Sequence, residues 1–370
     1  MSRRAESLWR RVAGDEPGPA WLGLLRGAAA AASGLYALGV WLDQGSYDLG
    51  LRRVRRLPAP VIGVGNLAVG GTGKTPLVMA VVQALAWLGL PAGVISRGYG
   101  RKQSGPLLVG DGRRVLADAA AAGDEPVLMA RRLGAPVAVG ADRYEAGRLL
   151  LERCGARVLV ADDLFQHRGL HRDLNILALD AGDPLAGGRL LPRGRLREPA
   201  SALRRAEVVV LTRAQGPEQG QRAKELLAWR VGRRPVLSCG HVIQGMEDAT
   251  GRAPAPEDWR GAAVLAFCGL AAPESFRQSL RQAGMTVLDL VSFGDHHRFT
   301  PAEIAQLWER AQTLSARALV CTGKDAVRLP AGLPPDAAIW SARLELEFHE
   351  GPLALAGVLS RALAGWEGGA

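Results

Sequence analysis

A chain of 370 residues, 48% hydrophobic and without low-complexity runs of Gly or Pro, is globular and too long for one ordinary core, so two domains are the default expectation. Its formal net charge of +10 favours anionic partners; with no basic–aromatic interleaving and no nucleic-acid motif, nucleic acid drops out and a nucleotide or an acidic membrane surface remains. Four cysteines (Cys154, Cys239, Cys268 and Cys321) lie far apart with no C-x-x-C pair, which excludes a zinc site or disulfide framework and fits a reducing compartment.

Residues 1–56 read as a helical, membrane-associating segment. Gly27 to Leu42 carry no charge over sixteen residues, shorter than the roughly 20 that a spanning helix needs. Trp9, Trp21, Tyr36 and Trp41 bracket the run, and Arg3, Arg4, Arg10 and Arg11 precede it, with Arg52, Arg53, Arg55 and Arg56 beyond. Aromatic and cationic flanks suit a helix lying in or dipping into an anionic leaflet; the competing reading is a helix packed on the protein's own core. A cleaved signal peptide conflicts with the nucleotide-binding pattern that follows at once.

That pattern begins with the apolar run Val61-Ile62-Gly63-Val64 and breaks into Ala68-Val69-Gly70-Gly71-Thr72-Gly73-Lys74-Thr75, ahead of a helical stretch from Leu77 to Leu90. Glycines let successive N–H groups turn inward around phosphate oxygens. Lys74 adds a charge at the β- and γ-phosphates, and the Thr75 hydroxyl suits Mg²⁺. Ala68 stands where the full phosphate-loop pattern has glycine, and the double glycine at 70–71 is the candidate source of the missing freedom. A nucleoside triphosphate is the expected ligand.

Within residues 57–234, Ala92–Ser96, Val137–Gly140, Val158–Asp162, Asn175–Asp180 and Val208–Thr212 read as buried parallel strands alternating with helices such as Asp142–Cys154. The fold class is a doubly wound α/β/α sandwich, in which ligands bind at the carboxyl ends of strands. Ser96-Arg97-Gly98-Tyr99-Gly100 puts Arg97 and Tyr99 on that rim. Gly123-Asp124-Glu125-Pro126 opens a helix over Val127–Leu133, where Asp124 taken alone reads as an N-cap. Asp162 and Asp163 end an apolar strand, the placement of a Mg²⁺-holding carboxylate beside a phosphate loop, and Gln166 and His167 continue the rim. Between Leu191 and Pro199, Arg193, Arg195 and Arg197 offer guanidinium groups for a phosphate or anionic headgroup, or form a solvated loop.

Residues 235–370 read as a second, smaller α/β domain. Its strands are Pro235–Val242, Val264–Cys268, Val287–Ser292 and Ala318–Cys321, its helices Pro273–Gly284 and Pro301–Ala316, with a hinge or loop over Glu247–Arg260. Phe293-Gly294-Asp295-His296-His297 ends one strand with histidine beside a carboxylate, a proton handler or a plain surface loop. Thr322-Gly323-Lys324-Asp325 ends another and either contacts nucleotide or caps a helix.

In chain order the strings VGNLAVGGTGKTP, SRGYG, GDEP, ADDLFQH, LPRGRLREP, FGDHH and TGKDAVRL resemble the tetraacyldisaccharide 4′-kinase family of lipid A biosynthesis, over most of the chain. The family pattern itself lacks the first phosphate-loop glycine. This chain departs at Leu164, where the family more often has glycine, and at Gly323, where it often has glutamate. The resemblance implies two α/β/α domains and transfer of the ATP γ-phosphate, with Mg²⁺, to the 4′-hydroxyl of a tetraacylated glucosamine disaccharide 1-phosphate. It implies a peripheral or monotopic enzyme on the cytoplasmic face of the inner membrane, with no obligate protein partner. Asp124 and His296 would form a catalytic pair, with Asp124 as proton acceptor. Arg97, Tyr99, Gln166, His167, Arg193, Arg195 and Arg197 are the candidate substrate contacts. The rival reading, a membrane-cycling ATPase switch of the partitioning type, wants a signature lysine where Val69 stands and has no use for Asp124 and His296.

Overall fold

The computed structural model describes residues 8–9, 11–14, 17–98, 101, 105–248, 251–270, 273–294 and 297–364. Val- and Ile-rich runs, apolar on both faces, form the interior strands of a parallel sheet. β1 (Val61–Asn66), β2 (Ala92–Ser96), β5 (Val158–Asp162) and β7 (Val208–Thr212) are buried along their whole length, and β4 (Pro136–Val139) and β6 (Leu174–Asp180) nearly so. They lie parallel in the order β7-β6-β1-β5-β2-β4, and β3 (Leu107–Asp111) closes the edge antiparallel to β4. Alternate residues of each strand serve opposite faces. Ile62, Val64 and Val160 pack against Leu77, Val81 and Leu85 of helix α1 (Lys74–Trp87). Val61, Leu159 and Ala161 pack against Ala146 and Leu150 of α2 (Arg143–Cys154), which Asp142 caps.

β8 (Val236–Asp248), 13 residues long, exceeds the reading to Val242, and Glu247 and Asp248 at its end enter the stretch expected to be a hinge or loop. Its first residues pair in parallel with β7, and the rest pairs antiparallel with β12 (Ile339–Phe348). Beyond β12 lie β11 (Ala318–Thr322), β9 (Ala263–Cys268) and β10 (Thr286–Ser292), all parallel to it, so twelve strands form one sheet. Here too the faces separate. Val264, Ala266 and Cys268 meet Phe276 and Leu280 of α3 (Pro273–Gln282), while Leu265 and Phe267 meet Ile304, Leu307 and Ala311 of α4 (Pro301–Thr313). The helix Ala354–Leu363 crosses back, placing Leu355 and Leu359 against Leu77 and Val81.

The reversal at β8 decides where a ligand can sit. β8 leaves β7 at the carboxyl edge and continues past it, and the strands added to that extension run in the opposite sense. The carboxyl ends of both halves therefore point into one gap. Two strands escaped the sequence reading. β3 is a half-buried edge, and β12 alternates Arg343, Glu345 and Glu347 with apolar residues, masking its strand character.

Near the N-terminus, Ala20–Asp48 form a single helix of 29 residues, the one helix among those described that is long and apolar enough to cross a membrane. One stripe of it grips the protein: Ser33 donates to Leu190 O at 3.0 Å, Tyr36 to Arg197 O at 2.8 Å and Gln44 to Glu198 at 2.6 Å. The opposite stripe exposes Leu24, Leu35, Leu38, Trp41 and Leu42.

Candidate active site

The site is built outward from β1. Asn66, fully buried at its end, donates to Ala68 O at 2.6 Å and Thr72 Oγ1 at 2.8 Å and accepts from Lys74 Nζ at 3.1 Å, so one amide folds the loop and aims its lysine. Gly70 and Gly73 take φ of +111° and +71°, the left-handed region that glycine enters without steric cost. A Cβ on Gly73 would also come within 3.1 Å of His241 Nε2 and 3.3 Å of Thr212 Cβ. Burial pushes that imidazole down to about 4, so the loop rests on a neutral ring. Thr212 donates to Thr72 O at 2.8 Å, tying the loop to β7. Ala68 and Val69 are braced from the arginine-rich segment, Val69 N–H donating to Arg195 O at 2.8 Å.

β5 lies beside β1 and delivers two carboxylates in different states. Asp163 has a φ of +50° and accepts from Arg197 at 3.0 Å on both oxygens, with Lys74 at 3.4 Å. Burial would raise its pKa, but Lys74 and Arg197 outweigh that and hold it below the ordinary carboxylate value. Asp162 is buried; Ser96 donates to its Oδ2 at 3.3 Å, while Oδ1 has no hydrogen-bond partner among the described residues. Desolvation first, then the Glu125 and Asp163 carboxylates, push Asp162 up to about 7.

The third side comes from the helix Asp124–Arg132. Its cap is Gly123; Asp124 is the first helical residue and leaves the N-cap role read from the sequence to its neighbour, which turns both acidic side chains outward from the first turn. Arg328 donates to Asp124 at 2.7 Å, and Lys324 pairs with Glu125. Burial would raise Glu125, but Lys324, then Lys74 and Thr75, hold it below its ordinary value. Thr322 caps the short helix Gly323–Ala326 that carries Lys324, as one of its two readings had it. A local cause underlies Gly323: a Cβ there would lie 2.8–3.1 Å from the Arg132 guanidinium, which donates to Ala342 O at 3.2 Å. Leu164, the other departure, is fully buried in the core beside Leu57 and Leu159.

These groups enclose a cleft of about 680 Å³ that gathers Gly70–Thr75, Arg97, Asp124, Asp162, Asp163 and Arg197, together with Glu125, Arg298, Lys324 and Arg328. Other candidates lie elsewhere. Ala68, Val69 and Arg195 line a separate cavity of about 70 Å³ beside Asp180 and Arg213, and Arg195 is ion-paired with Asp183. Arg193 donates to Val12 O at 2.9 Å and Ala13 O at 3.3 Å, in the N-terminal segment. Gln166 donates to Asn66 O at 2.9 Å, supporting the loop from behind. His167 is half-buried, its pKa lowered by burial and then by Arg143 and Arg172. Tyr99 and His296 lie outside the described residues. Asn66, Ser96, Glu125 and Arg328 sit inside the strings singled out from the sequence yet went unassigned. For Arg328 the available signal was a second cation four residues after Lys324.

The family model described as Tetraacyldisaccharide-1-P 4′-kinase matches residues 27–363. A tetraacyldisaccharide 4′-kinase of Geobacter metallireducens is 44% identical over 318 residues, 85% of this chain and 92% of the relative. One from Anaeromyxobacter sp. strain Fw109-5 is 43% identical over 336 residues, covering 90% of each. Among solved structures, LpxK from Aquifex aeolicus in complex with ATP matches with a TM-score of 0.74 and 32% identity, covering 91% of this chain and 99% of that one.

Proposed function

The chain belongs to the tetraacyldisaccharide 4′-kinase family, and from that premise we propose that the cleft between the opposed carboxyl edges is where the γ-phosphate of ATP meets the sugar hydroxyl. The enzyme is an ATP-dependent glycolipid kinase of lipid A biosynthesis, acting on the 4′-hydroxyl of tetraacyldisaccharide 1-phosphate. That assignment leaves the partitioning-type ATPase switch disfavoured. One observation supports the placement: the phosphate loop, Asp162 and Asp124 all line the same cleft, and one Asp162 oxygen has no hydrogen-bond partner among the described residues.

The loop N–H groups and Lys74 bind the β- and γ-phosphates, with Asn66 fixing the lysine before substrate arrives. The donor set fits a hard divalent cation: a hydroxyl, a buried carboxylate with an open oxygen and a second ionised carboxylate, with phosphate oxygens and water to complete the shell. Thr75, Asp162 and Asp163 would hold Mg²⁺, and when bound the ion neutralises charge building on the phosphate oxygens. Asp124 accepts the proton of the attacking 4′-hydroxyl, and His296 orients it or raises its basicity. Arg197 and Arg97 steady the anionic groups around the transfer, with Tyr99, Gln166, His167, Arg193 and Arg195 assigned to the glycolipid side. Residues 57–234 and the residues from 235 onward act as two bodies whose closure on β8 assembles the site and expels water. The exposed stripe of Ala20–Asp48 lies in the cytoplasmic leaflet of the inner membrane, its arginine flanks on anionic headgroups, bringing the acylated substrate to the cleft.

The test is transfer from γ-labelled ATP, with Mg²⁺, to tetraacyldisaccharide 1-phosphate in detergent micelles. Wild type should yield a labelled bisphosphorylated lipid, and Lys74→Ala should not. ATP hydrolysis without lipid labelling would overturn the proposal.

A further inference from the structure

Arg328 is 4% exposed in its side chain, and its guanidinium is held on two sides. Toward the cleft, Nε and an Nη both lie 2.7 Å from Asp124 Oδ2. Behind it, Nη1 lies 3.5 Å from Asp325 Oδ1, and Asp325, fully buried, is itself fixed by Gly269 N–H at 3.1 Å and the Thr322 hydroxyl at 2.6 Å. The chain of contacts runs from the ends of β9 and β11 through one rigid planar fork to a single oxygen of Asp124, across 204 residues of sequence. A surface clip between the halves would not need such burial, nor two contacts on one oxygen.

We infer that Arg328 is a positioning residue for the acceptor-side base: from the C-terminal half it orients the Asp124 carboxylate in the cleft and keeps it in the ionised form that can take a proton. The inference rests on Asp124 being that base. A guanidinium in contact favours the charged carboxylate, and a two-point contact on Oδ2 fixes the carboxylate plane. Because the arginine belongs to the other half of the sheet, the base is correctly set only when the two halves are together. Other charged groups also act on Asp124. Glu125 adjoins it on its own helix, Lys74 comes from the helix after the phosphate loop, and Lys324 and Asp325 flank Arg328. Across the cleft stand Arg97, Asp162 and Arg298. The variants below leave all of these in place.

The experiment measures kcat and KM for labelled transfer against pH in wild type, Arg328→Met, Arg328→Lys, Arg132→Met and Asp124→Asn. Removing the cation lets the Asp124 pKa rise, so the ionised base is lost sooner on acidification and the acid limb of kcat/KM moves up. In Arg328→Met that shift is expected to be about one pH unit, with kcat down about tenfold or more and the KM for ATP changed less than about threefold. Arg328→Lys keeps a charge without the fork, so the limb should stay near wild type while kcat remains reduced. Arg132→Met breaks a different contact between the halves, Arg132 to Glu247 and Ala342 O, and should leave the limb in place. An unmoved limb in Arg328→Met, a loss confined to the KM for ATP, or an equal shift in Arg132→Met overturns the inference. Near-normal turnover in Asp124→Asn overturns the base reading, and this inference with it. A dead Asp124→Asn beside an unmoved limb in Arg328→Met overturns this inference alone.

Discussion

The two halves of the sheet use the same construction and bring different charges to the cleft: a mixed set from the first half and cations from the second. Up to β7, the carboxyl edge contributes the phosphate loop, four carboxylates (Asp124, Glu125, Asp162 and Asp163) and the cations Lys74, Arg97 and Arg197. Past β8, the facing edge contributes cations: Arg298, Lys324 and Arg328. In the first half burial, and after it the neighbouring Glu125 and Asp163 carboxylates, push Asp162 up to about 7. The second half offsets part of the carboxylate charge through Lys324 on Glu125 and Arg328 on Asp124. The phosphate-loop edge takes part of its charge balance from the other half. On the proposal above, a metal ion from solution adds to it.

Removing the phosphate-loop lysine should do the most damage. Lys74→Ala is expected to lower transfer on the order of 10³-fold, read as kcat with labelled ATP, because the lysine both meets phosphate and balances Asp163. A smaller effect is expected on membrane recruitment, which belongs to neither edge. Converting both exposed Leu38 and Trp41 to Glu should weaken sedimentation with anionic vesicles by on the order of 10²-fold, from about 3 kcal/mol of lost apolar burial. Activity on micellar substrate should fall less.

Asp162→Asn sharpens the comparison by separating stability from activity. The unfolded chain releases this proton near the ordinary 3.8, whereas the fold holds it up to about 7, so stability is lost as pH rises between those values. In EDTA the asparagine variant should therefore melt higher than wild type at pH 8, by about 1–3 kcal/mol, with the gap shrinking toward pH 5. Mg²⁺ should stabilise wild type and not the variant. An equal Mg²⁺ response in both would remove Asp162 from the metal site. The smallest change expected is at Gly323. A methyl there displaces the Arg132 guanidinium, the mobile end of a flexible side chain, so Gly323→Ala should cost no more than about 1 kcal/mol in urea unfolding.

Most of the parallel core was legible because both-face burial demands continuous apolar runs, and Val61–Val64, Val158–Asp162 and Val208–Thr212 are strands as read. β12 was not, since its charged Arg343, Glu345 and Glu347 break such a run, and the length of β8 depends on a partner more than ninety residues later. Within the site, Lys74 was legible where the phosphate loop opens a helix, and Asp162 and Asp163 where an apolar strand ends. Glu125 and Asn66 did not, because a carboxylate in a first helical turn or an amide ending a strand serves ordinary capping at most places it occurs.

What this sequence determined by itself is whatever depends on neighbours in the chain. A strand, a glycine-rich turn and Lys-Thr opening a helix form a phosphate cradle from consecutive backbone groups, and few other structures are open to that string. Tertiary structure alone decided which charges meet. Asp124 finds Arg328 from 204 residues away because β8 overruns the sheet edge and turns the later strands to face the earlier ones. A local pattern carries no record of such a reversal. Ionic contacts are non-directional along the chain, so their pairing follows from where the backbone brings them.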